Sequence, residues 1–250
     1  MDTSLNDFKY NEDWLWSGKW LKYGITTATN DKMNKVIKWE TIQRTTKVSK
    51  DEAVIIIPLL HSEHSDEYSI LIEMSYRPPL GGYCIEFPAG LMDDNESIIE
   101  TAKRELFEET GYTGEPDVSD SLPFSFWPNP WMCTESLKCV IMNVDLDQAC
   151  NKNVKTHLEE TESIKSIICK LKDLKSVIEE KAKEGYLVAY NVIRLESGTC
   201  LVTIDHTNYN TMKQCCKLKS YNLFLIIYLT GQSFPYTIDS IDRLLDVIFI

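Results

Sequence analysis

The chain has 250 residues, of which 43% are apolar, and its formal net charge is −12 at pH 7. This size and apolar content allow one substantial core, whereas the negative charge argues against a nucleic-acid partner, which needs clusters of Lys and Arg. The eight cysteines include no Cys-x-x-Cys pair, so we expect free thiols and no zinc site.

The first elements in chain order are short strands. Residues 19–26 and 36–47 predict antiparallel strands in a small extension that covers residues 1–50. The apolar, β-branched runs 53–60 and 69–74 are separated by a polar turn and predict a hairpin. A further short strand is expected at 85–87.

Residues 90–112 read GLMDDNESIIETAKRELFEETGY and predict a helix. Asn95 is a good N-cap because its side-chain oxygen can accept from the free N–H groups of a first turn, so the helix is expected over 96–109. Gly111 ends it, because glycine adopts the left-handed conformation at no steric cost.

Three glutamates of this helix converge on one patch. Glu105 and Glu109 are one turn apart, and Glu108 is adjacent. Like charges this close repel each other unless a cation lies among them, and carboxylate oxygens suit Mg²⁺ or Mn²⁺. Arg104 can offset part of the charge. A charge run is more often a solvated helix face, but the spacing of the arginine and the flanking glycines favours a metal site.

The later part of the chain is less regular. The polar stretch 148–161 predicts a long loop, and apolar positions at helical spacing predict a second helix over 172–183. Helices on both sides of a mixed sheet give an α+β fold of the α/β/α sandwich type. Residues 195–250 form a segment whose structure the sequence does not indicate, and their apolar run 223–229 is too short to cross a bilayer.

The offsets in the 90–112 stretch are those of a Nudix box, G-x5-E-x7-R-E-U-x-E-E-x-G-U with U apolar. All of its defining residues match, namely Gly90, Glu96, Arg104, Glu105, Glu108, Glu109 and Gly111, and Leu106 and Tyr112 fill the apolar places. With the flanking matches SGKW, KWETIQRTT and YRPPLGGYCIEFPAGL, the chain resembles the ADP-ribose (ADP-sugar) pyrophosphatase branch of the Nudix hydrolases, especially the animal form. The resemblance covers most of residues 10–190 and implies the Nudix fold.

The resemblance also implies the residues of a metal site and of a catalytic set. The backbone oxygen of Ala89, with Glu105 and Glu109, would hold Mg²⁺, or Mn²⁺ in its place, and Glu108 would assist. In this branch the base lies on a mobile loop outside the box, between a strand and a helix. The matching region is 156–164, where Glu162 aligns best and Glu159 and Glu160 are the reserves. Arg104 and Glu108 complete the catalytic set.

Substrate contacts follow from the same resemblance. Trp20 and Trp39 match two tryptophans that sandwich adenine, one from each subunit of a homodimer. Arg44 and Arg77 match positions that grip the diphosphate and terminal ribose region. Glu40 and Glu86 match polar contacts near the substrate or metals, and Leu91 and Asn129 complete the set.

The implied activity is Mg²⁺-dependent hydrolysis of ADP-ribose and related ADP-sugars to AMP and a sugar 5-phosphate. One departure concerns the sugar: where the family commonly has Asp-Pro-Gly, this chain has Asn129-Pro130-Trp131, which removes a charge and adds a ring. The alternatives are a Nudix hydrolase that acts on an oxidised nucleotide or a dinucleotide, and a non-catalytic ADP-ribose-binding module.

These inferences divide the chain into three segments. Residues 1–50 would serve dimerisation and the adenine site, residues 51–194 would form the hydrolase domain, and residues 195–250 would follow it. We expect no nucleic-acid or membrane partner. Because the first residues lack a basic and apolar signal segment, we expect a location in the cytoplasm, with the nucleus as a second compartment.

Overall fold

The computed structural model describes four ranges of the chain, residues 7–46, 53–117, 125–189 and 191–192. These residues form an α+β structure with two β-sheets and two α-helices. None of the helices in these ranges has the length and apolar character that a membrane crossing requires. The predicted segment 195–250, with its apolar run 223–229, lies outside the described residues.

The N-terminal sheet has three antiparallel strands, β1 (Lys9–Ser17), β2 (Leu21–Asn30) and β3 (Lys35–Arg44). This sheet confirms the predicted antiparallel extension, with β2 and β3 in place of the strands predicted at 19–26 and 36–47. Strand β1 is not predicted by the sequence analysis. It is mostly exposed and pairs with β2, so it carries little of the alternating apolar pattern that marks a half-buried strand.

A second, mixed sheet contains eight strands. They are β4 (Ala53–Ser62), β5 (Ser65–Arg77), β6 (Gly82–Glu86), β7 (Ala89–Leu91), β8 (Glu115–Pro116), β9 (Leu137–Asp145), β10 (Ile164–Lys170) and β11 (Leu187–Val188). Strand β4 pairs in parallel with β9 and antiparallel with β5 and β7. The predicted hairpin is therefore confirmed as β4 and β5, and the strand predicted at 85–87 is β6, which ends one residue earlier.

Alternate residues of the mixed sheet pack against a helix on each face. Ile56 of β4 belongs to the buried cluster of α1 (Ile98–Thr110), whereas the next residue, Ile57, belongs to the cluster of α2 (Leu174–Lys183). Burial of side chains this large contributes about 1.5–3 kcal/mol each. This alternation confirms the predicted α/β/α sandwich, with α1, the helix of the Nudix box, on one side of the sheet and α2 on the other.

Helix α1 begins later than predicted. Asn95 has a φ of 66° and lies in a left-handed turn, so it is not the N-cap. Ser97 caps the helix: its side chain accepts from the Glu100 N–H at 3.3 Å, and the Glu100 carboxylate accepts from the Ser97 N–H at 2.8 Å. The predicted cap at Asn95 is wrong because this reciprocal capping box satisfies two N–H groups, and asparagine tolerates the left-handed turn that precedes it.

The helix boundaries further along are closer to the prediction. Helix α1 ends at Gly111, as predicted, with a φ of 76° and its N–H donated to the Phe107 carbonyl at 2.8 Å. Helix α2 begins two residues later than predicted, because a 3-10 turn occupies Leu171–Asp173. A further 3-10 turn lies at Pro78–Leu80.

The long loop predicted at 148–161 is confirmed. Apart from a 3-10 turn at Ala149–Asn151, its residues adopt no helix or strand. A Cβ at Gly111 would lie 2.4 Å from the Lys155 carbonyl oxygen, so the glycine allows this loop to pack against the end of α1. None of the five cysteines in the described ranges forms a disulfide.

Candidate active site

The carboxylates of α1 lie against β7. A Cβ at Gly90 would be 1.8 Å from Cδ and Oε1 of Glu105, so only a glycine admits that carboxylate. The Ala89 N–H donates to Oε2 of Glu109 at 3.0 Å. The Pro88 carbonyl accepts from the Ile56 N–H of β4. Successive residues of a strand direct their backbone groups to opposite edges, so the N–H and the carbonyl of Ala89 both point away from β4, toward the side on which Glu109 lies.

Arg104 connects the box residues to one another. Its Nε donates to Glu96 at 2.9 Å, and its Nη1 donates to Glu105 at 2.8 Å and to Glu108 at 3.0 Å. Its Nη2 donates to the Leu91 carbonyl at 2.9 Å. The hydrogen bonds from Arg104 hold the pKa of Glu96 well below its usual range, at about 2. One guanidinium therefore fixes three carboxylates and the end of β7.

Burial shifts the proton affinity of the two inner carboxylates. Glu109 is only 5% exposed, and burial raises its pKa, as do the neighbouring charges of Glu73 and Glu105. Burial also raises the pKa of Glu105, against the opposing effect of Arg104. Like charges crowded in a poorly solvated place resist ionisation unless a cation accompanies them.

Arg77 and Glu86 form an ion pair on the same face of the mixed sheet. The Nε of Arg77 donates to both oxygens of Glu86, at 3.0 and 3.1 Å. Arg77 is six residues beyond Leu71, which packs in the cluster under α1, so both side chains point to the α1 face of β5. The Arg77 side chain is 48% exposed, which leaves part of its guanidinium open to a ligand.

Glu73 is a buried carboxylate that the sequence analysis does not identify. It lies in β5 directly opposite Glu86 of β6 and is 1% exposed. Among the described residues, its Oε1 is the one buried side-chain oxygen or nitrogen without a hydrogen-bond partner. Burial raises its pKa, and Glu86 and Glu162 add to the effect. The sequence signal was a glutamate inside the apolar run 69–74.

The loop that carries Glu162 lies between β9 and β10. In the branch that the chain resembles, this loop lies between a strand and a helix, whereas here the apolar residues after it form β10, and α2 follows β10. Ser163 anchors the loop by accepting from the Tyr76 N–H at 3.1 Å. Glu162 is half-buried and accepts from the Glu159 N–H at 2.8 Å, whereas Glu159 and Glu160 are exposed.

Glu162 also acts electrostatically on the inner carboxylates. Its charge contributes to the raised pKa of Glu73, Glu105 and Glu109, each after a larger effect of burial. His157 of the same loop stacks on Phe107 with ring centroids 4.6 Å apart. Of the loop residues, Glu162 is therefore the one that acts on the carboxylate cluster of α1.

The two predicted adenine-binding tryptophans lie apart within one chain. Trp39 lies in β3 opposite Thr26, whereas the Trp20 carbonyl accepts from the N–H of Thr45, just beyond the end of β3. Six residues of extended chain separate Trp39 from Thr45, a distance of about 20 Å at 3.4 Å per residue. Both indoles are more than half exposed, so one copy of the chain does not form the predicted sandwich.

A pocket of about 570 Å³ opens between the N-terminal sheet and the loop after Asn129. Trp39 and Gln43 line one side, and Trp131 and Thr134 line the other. The indole N–H of Trp39 donates to the Trp131 carbonyl, and Gln43 donates to the Thr134 hydroxyl at 3.0 Å. The tryptophan that departs from the family pattern therefore lies beside a predicted adenine-binding residue.

The other predicted contacts on this side are held by local partners. Arg44 pairs with Glu135, and Glu40 raises the pKa of Tyr23, after a larger effect of burial. The Asn129 carbonyl closes a turn by accepting two N–H groups, at 3.0 and 2.9 Å. The contacts of these residues are thus with the N-terminal sheet and the 129–135 loop, and not with the carboxylates of α1.

The carboxylate cluster fits a hard divalent cation in its chemistry. Within the described residues no three acidic, His or Cys side chains are gathered as ligands of one ion. In this arrangement the glutamates of α1 are held by Arg104 and the Ala89 N–H instead. The unpartnered Oε1 of Glu73 and the buried carboxylate of Glu109 nevertheless supply oxygen donors that a cation would satisfy.

The chain is similar in sequence and in fold to known hydrolases. The profile of the NUDIX domain matches residues 50–190. The chain is 35% identical over 178 residues to the ADP-sugar pyrophosphatase of Mus musculus, covering 71% of this chain and 79% of that protein. It is 30% identical over 177 residues to the ADP-ribose pyrophosphatase of Saccharomyces cerevisiae, covering 70% and 75%. A crystal structure of an ADP compounds hydrolase has a TM-score of 0.51 at 16% identity, covering 70% of this chain and 85% of that one, in agreement with the predicted fold.

Proposed function

The chain belongs to the Nudix hydrolase family, and from this premise we propose that it hydrolyses the diphosphate of ADP-ribose and related ADP-sugars, with Mg²⁺, to AMP and a sugar 5-phosphate. The observation that carries the proposal is the placement of two carboxylates of α1 against β7, where Gly90 leaves room for Glu105 and the Ala89 N–H donates to Glu109 at 3.0 Å. The names of the two pyrophosphatase relatives support the substrate class.

The metal would be held by residues at the junction of β7 and α1. Nudix hydrolases generally use divalent metal ions, and here Glu105, Glu109 and the Ala89 carbonyl would hold Mg²⁺, or Mn²⁺ in its place, with Glu108 assisting. Such an ion supplies charge neutralisation of the diphosphate and lowers the pKa of the attacking water. Arg104 is a positioning residue, because it fixes Glu105 and Glu108 by hydrogen bonds of 2.8 and 3.0 Å.

Glu162 would act as the general base. One of its oxygens accepts the Glu159 N–H, so the other can take a proton from the attacking water. The water oxygen forms a bond to phosphorus, the anhydride P–O bond breaks, and the two products leave as phosphate monoesters. Glu159 and Glu160 are less suited to this role because they are exposed.

Two arginines and two tryptophans would position the substrate. A guanidinium fork binds phosphate oxygens in pairs, so Arg44 and Arg77 would position the diphosphate and the terminal ribose region, and Arg77 would exchange part of its contact with Glu86 for them. Because Trp20 and Trp39 lie apart in one chain, the adenine sandwich would need an indole from each subunit of a homodimer. Further contacts would come from Glu40, Leu91 and Asn129.

The proposed division of the chain follows these roles. Residues 1–50 would serve dimerisation and the adenine site, residues 51–194 would carry the chemistry, and residues 195–250 would follow. We place the enzyme in the cytoplasm, with the nucleus as a second compartment.

Chromatographic product analysis tests the proposal. Purified protein is incubated with ADP-ribose, other ADP-sugars, an oxidised nucleoside diphosphate and a dinucleotide, with Mg²⁺ or with chelator. AMP and ribose 5-phosphate formed only with Mg²⁺ is the expected result. Cleavage of the other nucleotides but not of ADP-sugars would show that the enzyme has a different substrate class. Binding of ADP-ribose without cleavage of any substrate would indicate a non-catalytic ADP-ribose-binding module.

Paired glutamate variants test the site. Glu109→Gln should abolish turnover and keep the fold, since it removes a charge that burial already disfavours and leaves an oxygen for the Ala89 N–H. Glu115→Gln is the matched control, because Glu115 is exposed and pairs with Lys103 at 2.6 Å. Full activity of Glu109→Gln would contradict the proposed metal site.

A further inference from the structure

Glu73 is fixed in the interior of the mixed sheet. In β5 it pairs on one edge with Glu86 of β6 and on the other with Ser166 of β10. A strand flanked on both sides has no freedom to turn over, so the direction of this side chain is set by the sheet. Glu73 is 1% exposed, and it therefore stays out of bulk water.

The alternation of β5 directs Glu73 toward α1. Leu71, two residues earlier, packs in the cluster of α1, whereas Ile72 and Met74 pack in the cluster of α2. Residues 71 and 73 lie on the same face because successive side chains of a strand alternate. Glu73 thus lies on the face that bears Glu105 and Glu109.

Glu73 lacks the partner that a buried carboxylate requires. Its Oε1 has no hydrogen bond, and Arg77 is engaged with both oxygens of Glu86. Directly opposite residues of antiparallel strands have Cβ atoms about 4.5–5.5 Å apart, so Glu86 adds a like charge at short range. A buried charge without a partner is costly, and a fold keeps one where it coordinates a cation or serves a similar purpose.

Glu73 and Glu109 are also electrostatic neighbours. After burial, the charge of Glu73 is the largest contribution to the raised pKa of Glu109, and Glu105 raises the pKa of Glu73. The unpartnered oxygen therefore belongs to a buried side chain on the face of the sheet that bears the carboxylates of the proposed cation site.

We propose that Glu73 supplies a further carboxylate to the cation site of Glu105 and Glu109, so that the sheet and the helix both contribute ligands. This inference rests on the proposed function, since it needs a divalent ion at that site. It assigns Glu73 a role outside the Nudix box and explains why the mostly apolar run 69–74 of β5 carries a glutamate at this position.

Binding of Mn²⁺ alone, followed by electron paramagnetic resonance of the free ion, tests the proposal without turnover. Glu73→Gln should bind Mn²⁺ about 10 to 100 times more weakly than the wild type, or bind one ion fewer. Glu67→Gln is the control on the same strand, because Glu67 pairs with Lys170 and Lys172 and should leave Mn²⁺ affinity unchanged. An affinity of Glu73→Gln within twofold of the wild type would overturn the proposal.

Thermal unfolding separates a metal ligand from a structural carboxyl group. Glu73→Gln should be at least as stable as the wild type in chelator and should gain less stability from added Mn²⁺. Equal gains from Mn²⁺ would overturn the proposal, as would failure of both Glu73→Gln and Glu73→Leu to fold in chelator. Wild-type protein that binds no Mn²⁺ would refute the proposed function itself, whereas weak binding by Glu109→Gln but not by Glu73→Gln would refute this inference alone.

Discussion

Gly90→Ala is expected to disable the active site without unfolding the protein. The added Cβ would lie 1.8 Å from Cδ and Oε1 of Glu105, against an ordinary contact distance of at least 3.4 Å. The carboxylate must therefore withdraw by about 1.6 Å. Because this carboxylate is the far end of a flexible side chain, it can withdraw at little cost to the fold.

The expected loss of activity follows from that displacement. A misplacement of about 1 Å in a catalytic constellation costs about 100-fold in rate, which corresponds to about 2.7 kcal/mol. The shift also breaks the 2.8 Å hydrogen bond from Arg104 to Glu105, so we expect a fall in kcat of at least about 100-fold. The free energy of unfolding should change by less than about 1 kcal/mol, since Gly→Ala also restricts the unfolded chain.

The assay is kcat for ADP-ribose at saturating Mg²⁺, with urea unfolding in chelator as the measure of stability. Gly82→Ala is the matched control, because its new Cβ would meet only Cδ1 of Leu187, at 3.7 Å. Its kcat should stay within about twofold of the wild type. Wild-type kcat in Gly90→Ala would show that turnover does not depend on Glu105 at this position and would refute the reasoning.

Two further predictions concern the start of α1. Ser97→Ala removes the capping box and should lower the free energy of unfolding by about 1 kcal/mol in urea titrations, whereas Ser176→Ala, on the exposed first turn of α2, should change it by much less. The pKa of Glu96 falls from 4.5 in the unfolded chain to about 2 in the folded protein. Ionised Glu96 therefore adds up to about 3 kcal/mol to the free energy of unfolding above pH 4.5, and this contribution is lost as the pH falls toward 2. The stability difference between wild type and Glu96→Gln should therefore shrink from pH 6 to pH 3, and a constant difference would contradict the Arg104 pairing.

Local signals in the sequence predicted the box helix well, except for its first residues. Gly111 is recognisable because few residues adopt a positive φ, and the structure confirms it. Asn95 and Ser97 are both good N-caps, so composition alone does not choose between them. Glu100, three residues after Ser97, forms the reciprocal pair, and that spacing is the signal that identifies the cap.

Contacts between distant segments were harder to predict. Glu73 occupies a strand position where an apolar residue is expected, and its proximity to Glu86 follows only from the β5 and β6 register. The separation of Trp20 and Trp39 likewise depends on the register of the N-terminal sheet. Motif spacing identifies the residues of one helix, but the strands that face it are set by the packing of the whole sheet.

The parallel pairing of β4 and β9 bears on how the enzyme is synthesised. Ala53 lies opposite Leu137, 84 positions later, and β7 and α1 are made in between. At about 5–20 residues per second, a ribosome needs about 4–17 s to reach the partner strand. During that time an apolar strand has an open hydrogen-bonding edge, which invites mispairing with other nascent chains. A high contact order of this kind also slows folding, so the sheet beneath the active centre is completed late in biogenesis.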